Sequence, residues 1–373
     1  MYSFKRICGL LINNPDLYDA RISHVEETTG RLEKSLVPVT CANPCEYGHP
    51  DYPNSFSIDL TSEMLGSVKP YQRQVIISTG KSDWEREIAD EEGSLAMHLS
   101  SASKHYRRPP GSHGATSRTK KQDVRNPPGL FTSSEQSRLS ILNGSHTSLS
   151  CNDVEESVLV LPDYKVVKEV PRSQEGSEML WRNVLEPTLN RAGKRDGVLK
   201  SYPLQYACVI LLCSHKRRDN RCHIAAPKLQ IALTEALENE GYEVYTDLEE
   251  PFGQQAIEDY PGTDEERELE FLNQLQAIAD STDPKKVLIL KTSHIGGHKY
   301  SGNVVIYTPQ GSGVWYGRVS PHEVPAIVKT TICDGKVLPA LLRGGVNLSR
   351  PKGQESLLSC STLQHPFYTC SLV

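Results

Sequence analysis

The chain has 373 residues, 37% of them apolar and 23% charged, with a formal net charge of −5 and a mean hydropathy of −0.45. That length predicts about two domains, and no stretch reaches the ~18–20 uninterrupted apolar residues a membrane-crossing helix needs. The acidic balance argues against nucleic acid as the main partner, because phosphate neutralisation needs a clustered basic face.

Residues 1–55 read as mostly irregular, with a Cys41/Cys45 pair and a mildly basic, amphipathic start. Asp16, Asp19, Glu26 and Glu27 arrive early for a matrix presequence, so this start is a weak targeting signal. Val75–Ser78 reads as a strand, and the apolar spacing of Ile88, Leu95, Met97 and Leu99 predicts a helix over 84–99. From Ser100 to about Pro128 the composition turns to Ser, Arg, Lys, Pro and Gly without periodicity, which predicts a basic, disordered linker. Strands are expected at Val158–Leu161 and Tyr164–Val167 around a Pro162-Asp163 turn, then a helix near 178–185.

The second half opens with a strand at 208–212, a helix at 225–238, a strand at 242–245, a helix at 265–278 and a strand at 287–290. A hairpin joins Val304–Tyr307 to 314–318 through Pro309-Gln-Gly-Ser-Gly313, and a helix starts at Pro321. The two halves look like weak copies. Gln74–Asp83 parallels Cys208–Lys216, setting Thr79-Gly80 against Cys213-Ser214, and 158–171 parallels 304–321. Duplication of one βαβ–hairpin–α unit would explain both matches, with only the second copy able to hold a metal there.

Two clusters carry the chemistry: Cys213-Ser-His-Lys-Arg-Arg-Asp-Asn-Arg-Cys222 and His294-Ile-Gly-Gly-His298. Each follows an apolar, β-branched run. Two adjacent strands ending at one edge of a parallel sheet would bring two thiolates and two imidazoles together, a full set for a soft metal or an iron–sulfur cluster. Paired glycines disfavour helix, so a tight loop presenting both imidazoles is the expected geometry. The first cluster reads as a loop wrapping the site, with Lys216, Arg217, Arg218 and Arg221 supplying charge that favours thiolate over thiol. A lone cysteine at a strand end is usually a small hydrophobe, but two paired ligand sets after two buried strands outweigh that reading. Spacing alone leaves Cys₂His₂ zinc and an iron–sulfur cluster both open. A thiol–disulfide oxidoreductase on Cys213 and Cys222 fits less well, because their spacing is too wide for a Cys-x-x-Cys mechanism. His215 and His223 sit beside the cysteines and could replace a ligand, though roles behind the ligands or in solvent are expected, and Arg343-Gly-Gly345 suits a turn approaching the site or a partner.

Ten cysteines are too sparse for a secreted disulfide scaffold. The sequons at Asn143 and Asn347 therefore read as chance matches.

These motifs, with Ser293–Tyr307, Val314–Pro321, Asp334-Gly-Lys336 and Arg343-Gly-Gly345, resemble the thioredoxin-like ferredoxins of the sucrase/ferredoxin-like family. Ser57–Leu60 and Ser78–Trp84 are similar to its fungal branch of altered inheritance of mitochondria proteins, with the actin patches proteins as sisters. The resemblance implies an α/β fold: a thioredoxin-like [2Fe–2S] domain at 201–349, preceded by a degenerate, cluster-free thioredoxin-like half at 56–200 and followed by a flexible tail at 350–373. It further implies a cluster held by Cys213, Cys222, His294 and His298, with imidazole replacing a second cysteine pair and raising the potential. His223 departs from the family pattern, where glycine is expected after the second cysteine. The function implied is electron transfer, with proton coupling through the imidazoles, or redox regulation. Its partner would be a protein electron donor or acceptor, in the mitochondrion or alternatively the cytoplasm. No nucleophile–base pair is legible, so no enzymatic turnover is assigned.

Overall fold

A computed structural model describes residues 52–106, 128–281 and 285–348. Cys41 and Cys45, most of the basic linker and the tail after 348 lie outside the described residues. Among the described residues the protein is a mixed α/β structure in which twelve strands form one sheet. In chain order they are β1 Arg73–Ser78, β2 Leu130–Phe131, β3 Leu139–Gly144, β4 Glu155–Leu161, β5 Lys165–Pro171, β6 Ser201–Pro203, β7 Cys208–Cys213, β8 Glu243–Tyr245, β9 Lys286–Thr292, β10 Val304–Tyr307, β11 Gly313–Tyr316 and β12 Leu342–Val346. The α-helices are α1 Leu95–Tyr106, α2 Gln174–Leu180, α3 Asn220–Asn239, α4 Asp264–Asp280 and α5 Val324–Ile327.

Both halves share one strand order. In the first, β1 pairs in parallel with β3 and antiparallel with β4, which continues to β5 and β6. In the second, β7 pairs in parallel with β9 and antiparallel with β10, which continues to β11 and β12. The halves meet where Gly144 on β3 faces Thr292 on β9. There the Ser145 and Ser293 amides donate to Lys291 O and Asn143 O, each at 2.9 Å. The Lys291 and Asn143 amides donate in turn to Ser145 Oγ (3.1 Å) and Ser293 Oγ (3.0 Å). This set is unchanged when the halves are exchanged, a local two-fold that equates His146 with His294.

The same register corrects the sequence alignment of the halves. Ser78 faces Gly144 and Cys213 faces Thr292, so under this local two-fold Ser78, not Thr79, is the counterpart of Cys213. Side chains alternate along a strand, and Ile77 and Leu212 both point into the outer cores. A one-residue slip would turn one of them to the wrong face.

The sheet folds back on itself. Tyr307 on β10 donates to Gln74 Oε1 on β1 (3.0 Å), although β7, β9 and β3 separate those strands in sheet order. The inner core joins Ile76, Leu159 and Leu161 to Val209, Leu211 and Val305, with Phe271 and Leu275 of α4. Outside it, α1 and α2 cover the first half and α3 and α5 the second. Strands covered on both faces need near-continuous apolar sequence, which explains why Val75–Ile77 and Val209–Leu212 are buried throughout.

Several expected boundaries shift. The helix predicted over 84–99 begins only at Leu95, because Gly93 adopts φ +73° and Ser94 Oγ accepts from the Met97 amide (3.1 Å). It continues to Tyr106, whose ring stacks on Trp181 at 5.7 Å, so the stretch 100–106 is helix rather than linker. Arg343-Gly-Gly345 is strand β12, not a turn. Its glycines admit close neighbours: a Cβ on Gly344 would stand 2.6 Å from Gly129 O. Strands β2, β3 and β6 are additional to those the sequence predicts.

Two outcomes follow from these buried polar contacts. Tyr307→Phe leaves Gln74 Oε1 without this donor and should cost about 1–3 kcal/mol; urea denaturation showing a loss under ~0.5 kcal/mol would contradict it. His146 is fully buried, neither ring nitrogen has a partner among the described residues, and burial pushes it down to about 4 despite nearby Asp247. Its folded value lies below its unfolded one, so its contribution is complete above pH ~6.5 and lost as pH falls towards 4. That loss is up to roughly 3 kcal/mol, and His146→Leu should remove that part of the stability–pH slope. An identical slope in both proteins would show that His146 does not titrate this way.

Candidate metal centre

β7 and β9 lie side by side and end together, Cys213 facing Thr292. The polypeptide leaving each strand carries one half of the site. Cys213 is the last residue of β7 and is buried. Cys222 is also buried and sits in the first turn of α3, which Asp219 caps by accepting the Arg221 amide. The expected loop is therefore shorter than predicted, and His223 lies within the helix.

The sulfurs of Cys213 and Cys222 and a ring nitrogen of His294 all lie within 4.8 Å of one another. His294 Nδ1 is 3.8 Å from Cys213 Sγ, and its Nε2 is 3.5 Å from Nδ1 of the exposed His298. The four donors thus form a buried sulfur pair below and an imidazole pair at the surface. Between the histidines, Gly296 and Gly297 adopt φ +86° and +69°, which glycine takes without a Cβ penalty. The tight loop expected from the two glycines is present.

The cysteines behave as a pair. A hydrogen bond from Cys222 lowers the Cys213 thiol, helped against burial by the Ile295 and His215 amides and by Arg343. The same bond, with burial, raises Cys222. Without metal, Cys213 is therefore the more acidic of the two thiols and Cys222 the less acidic. Partial desolvation of its ring, with His294, Arg221 and Arg218 nearby and Asp219 opposing them, lowers the pKa of His298. Such a set suits zinc and iron–sulfur centres better than oxygen-seeking cations.

Supporting side chains fix the loop. Buried His215 accepts from the His294 amide at Nδ1 (3.2 Å), while its Nε2 lies 2.9 Å from Trp84 O. That pattern requires the neutral tautomer with its proton on Nε2, and burial lowers its pKa accordingly. Ser301 donates to Cys222 Sγ (3.7 Å). Asn303 donates to Gly297 O (3.2 Å).

Three of the four basic residues of this stretch are paired with carboxylates. Arg217 pairs with Glu85 and approaches Asp83 at 3.8 Å, Arg218 pairs with Glu87, and Arg221 pairs with Asp219 at 2.8 Å. Asp83, Glu85 and Glu87 come from the loop after β1, so the first half neutralises the rim of a site carried by the second. Sequence reading missed this strip and the role of Asn303, since neither has a local signal.

The loop geometry predicts an asymmetry between adjacent glycines. A Cβ on Gly296 meets open space, whereas one on Gly297 would collide with the Arg343 guanidinium. Gly296→Ala should cost only the left-handed strain, ~1–2 kcal/mol, and Gly297→Ala clearly more, with weaker metal retention. Equal losses in thermal stability would contradict the described loop.

Comparison with known proteins agrees with the motifs. The sucrase/ferredoxin-like family model matches residues 64–344. The chain is 30% identical over 139 residues to altered inheritance of mitochondria protein 32 of Meyerozyma guilliermondii, covering 37% of this chain and 35% of the relative. It is 29% identical over 136 residues to the Clavispora lusitaniae protein of that name, covering 36% and 34%. It is 28% identical over 181 residues to actin patches distal protein 1 of Saccharomyces cerevisiae, covering 47% and 46%. The chain thus spans less than half the length of each of these curated relatives. No solved structure matches it. With the family model covering well over half of its residues, the chain belongs to the sucrase/ferredoxin-like family.

Proposed function

We propose that this chain is a one-electron carrier holding a [2Fe–2S] cluster on Cys213, Cys222, His294 and His298, working between a protein donor and a protein acceptor. The observation that carries this reading is the pairing of donors at one sheet edge, two buried sulfurs beside two imidazoles. Two pairs suit two irons, one bound by thiolates and the other by imidazoles. When bound, such a group supplies a reversible one-electron couple. The chain's own residues do the rest. The sheet holds the sulfurs away from water, His215 orients the loop, and exposed His298 gives partners and protons access to the imidazole side.

A structural zinc ion is the second reading, favoured by one observation: Cys213, Cys222 and His294 are compact enough to ligate a single ion. His298 argues against it, because it sits beyond the far nitrogen of the His294 ring rather than beside the sulfurs.

We also read the second half as thioredoxin-like and the first as its duplicated, cluster-free copy. The shared strand order and the two-fold seam support this, as does Ser78 standing where the second half has Cys213. A mitochondrial location is proposed from the names of the relatives.

Metal analysis separates the two readings. The account expects iron and acid-labile sulfide in equal amounts and a red-brown protein. His298→Cys should then keep the cluster but lower its potential, since an anionic ligand stabilises the oxidised state. Zinc without iron, or an unchanged potential in the variant, would contradict it.

A further inference from the structure

Arg343 lies on β12, far in sequence from both ligand clusters, and its side chain ends beneath the histidine loop. It is 1% exposed. Its Nη1 donates to Asn303 Oδ1 (2.7 Å) and Gly296 O (3.2 Å), and its Nε donates to Ser67 Oγ (3.1 Å). The guanidinium carbon lies 5.7 Å from the Tyr300 ring centre and 6.0 Å from that of Trp315. No carboxylate among the described residues pairs with it. Its neighbours capable of carrying negative charge are Cys213, Cys222 and Tyr300.

An arginine buried without a carboxylate is costly unless another negative charge compensates it. The other buried arginines near charge are answered: Arg73 by Asp163 at 2.6 Å and Arg267 by Asp264 at 2.9 Å. The rim arginines at the metal centre are likewise answered by Glu85, Glu87 and Asp219. Arg343 is left without a carboxylate, its guanidinium packed against the backbone of the histidine loop.

We propose that Arg343 is a positioning and charge-compensating residue for the metal centre, whose counter-charge is the electron the centre takes up. This rests on the iron–sulfur reading above. Two thiolates balance the dipositive oxidised core and two imidazoles add no charge, so uptake of one electron from a one-electron reductant leaves one net negative charge. The guanidinium acts on that charge through a poorly screened interior. Its hydrogen bonds also hold the loop. Arg343 fixes the Gly296 carbonyl and Asn303 the Gly297 carbonyl, so the last two of the four peptide groups between the histidines are tied to the core. The glycine at 297 is what allows the guanidinium to lie against the backbone.

The test is a dithionite titration of the full chain as wild type, Arg343→Lys and Arg343→Met, following visible absorbance against a redox indicator. Both substitutions lose the forked hydrogen bonds, and only lysine keeps the charge. Removing the charge should disfavour the reduced form by about tenfold, a fall of ~59 mV for one electron, while Arg343→Lys stays near the wild-type potential. If Arg343→Met fails to hold a cluster, Arg343→Lys against Arg343→Gln carries the same comparison. Equal potentials for charged and uncharged variants, in proteins that all hold the cluster, would overturn the role of Arg343 and leave the cluster reading standing. A wild-type chain containing zinc and no iron would overturn both.

Discussion

The parallel pairing of β7 with β9 is the constraint on which the rest of the site depends. Its register sets Cys213 beside Thr292, so the residues following each strand emerge at the same edge. Every other element of the site is a short extension of that fact. The first turn of α3 returns Cys222 to the sulfur of Cys213, and Gly296-Gly297 turns His298 back towards His294. The strands are held by burial on both faces, with α3 and α5 outside and the folded-back sheet within. The donor geometry therefore inherits the rigidity of the best-packed part of the protein, as a preorganised ligand set requires.

Charge is arranged in two layers around this edge. At the surface, the arginines after Cys213 meet acidic side chains, three of which come from the loop after β1. Beneath it, the buried Arg343 holds the histidine loop through Gly296 O and Asn303 Oδ1. Exposed pairs are worth little and are screened by salt, so the rim shapes the contact between the halves more than it tunes the centre. The buried cation acts at short range in low dielectric. The first half, lacking cysteines at the equivalent place, thus contributes structure and rim charge rather than ligands.

The parts legible in the sequence are those written in local pattern. Val209–Leu212 and Val287–Leu290 read as buried strands because they are short, apolar and β-branched, and they proved adjacent and parallel. The glycine pair at 296–297 correctly implied a loop. Leu139–Gly144 escaped notice because Ser140 and Asn143 interrupt its apolar run, yet it supplies β3, the strand that joins the halves. Arg343-Gly-Gly345 looked like a turn because glycine usually marks one; here the glycines make room for Gly129 and Val68 against a strand. Apolar spacing places Trp84 at the start of a helix, whereas its carbonyl lies 2.9 Å from His215 Nε2 beside the candidate metal centre. The pairing of Arg217 and Arg218 with Glu85 and Glu87 spans more than 130 positions, and no local rule reports a contact of that range.

The most direct measurement of the central claim is pulsed electron paramagnetic resonance of the dithionite-reduced full chain. The account predicts a paramagnetic signal carrying strong couplings to nitrogens of two inequivalent imidazoles, reduced to one in His294→Cys or His298→Cys. No paramagnetic signal in a protein loaded with zinc, or a cluster signal without strong nitrogen coupling, would contradict it.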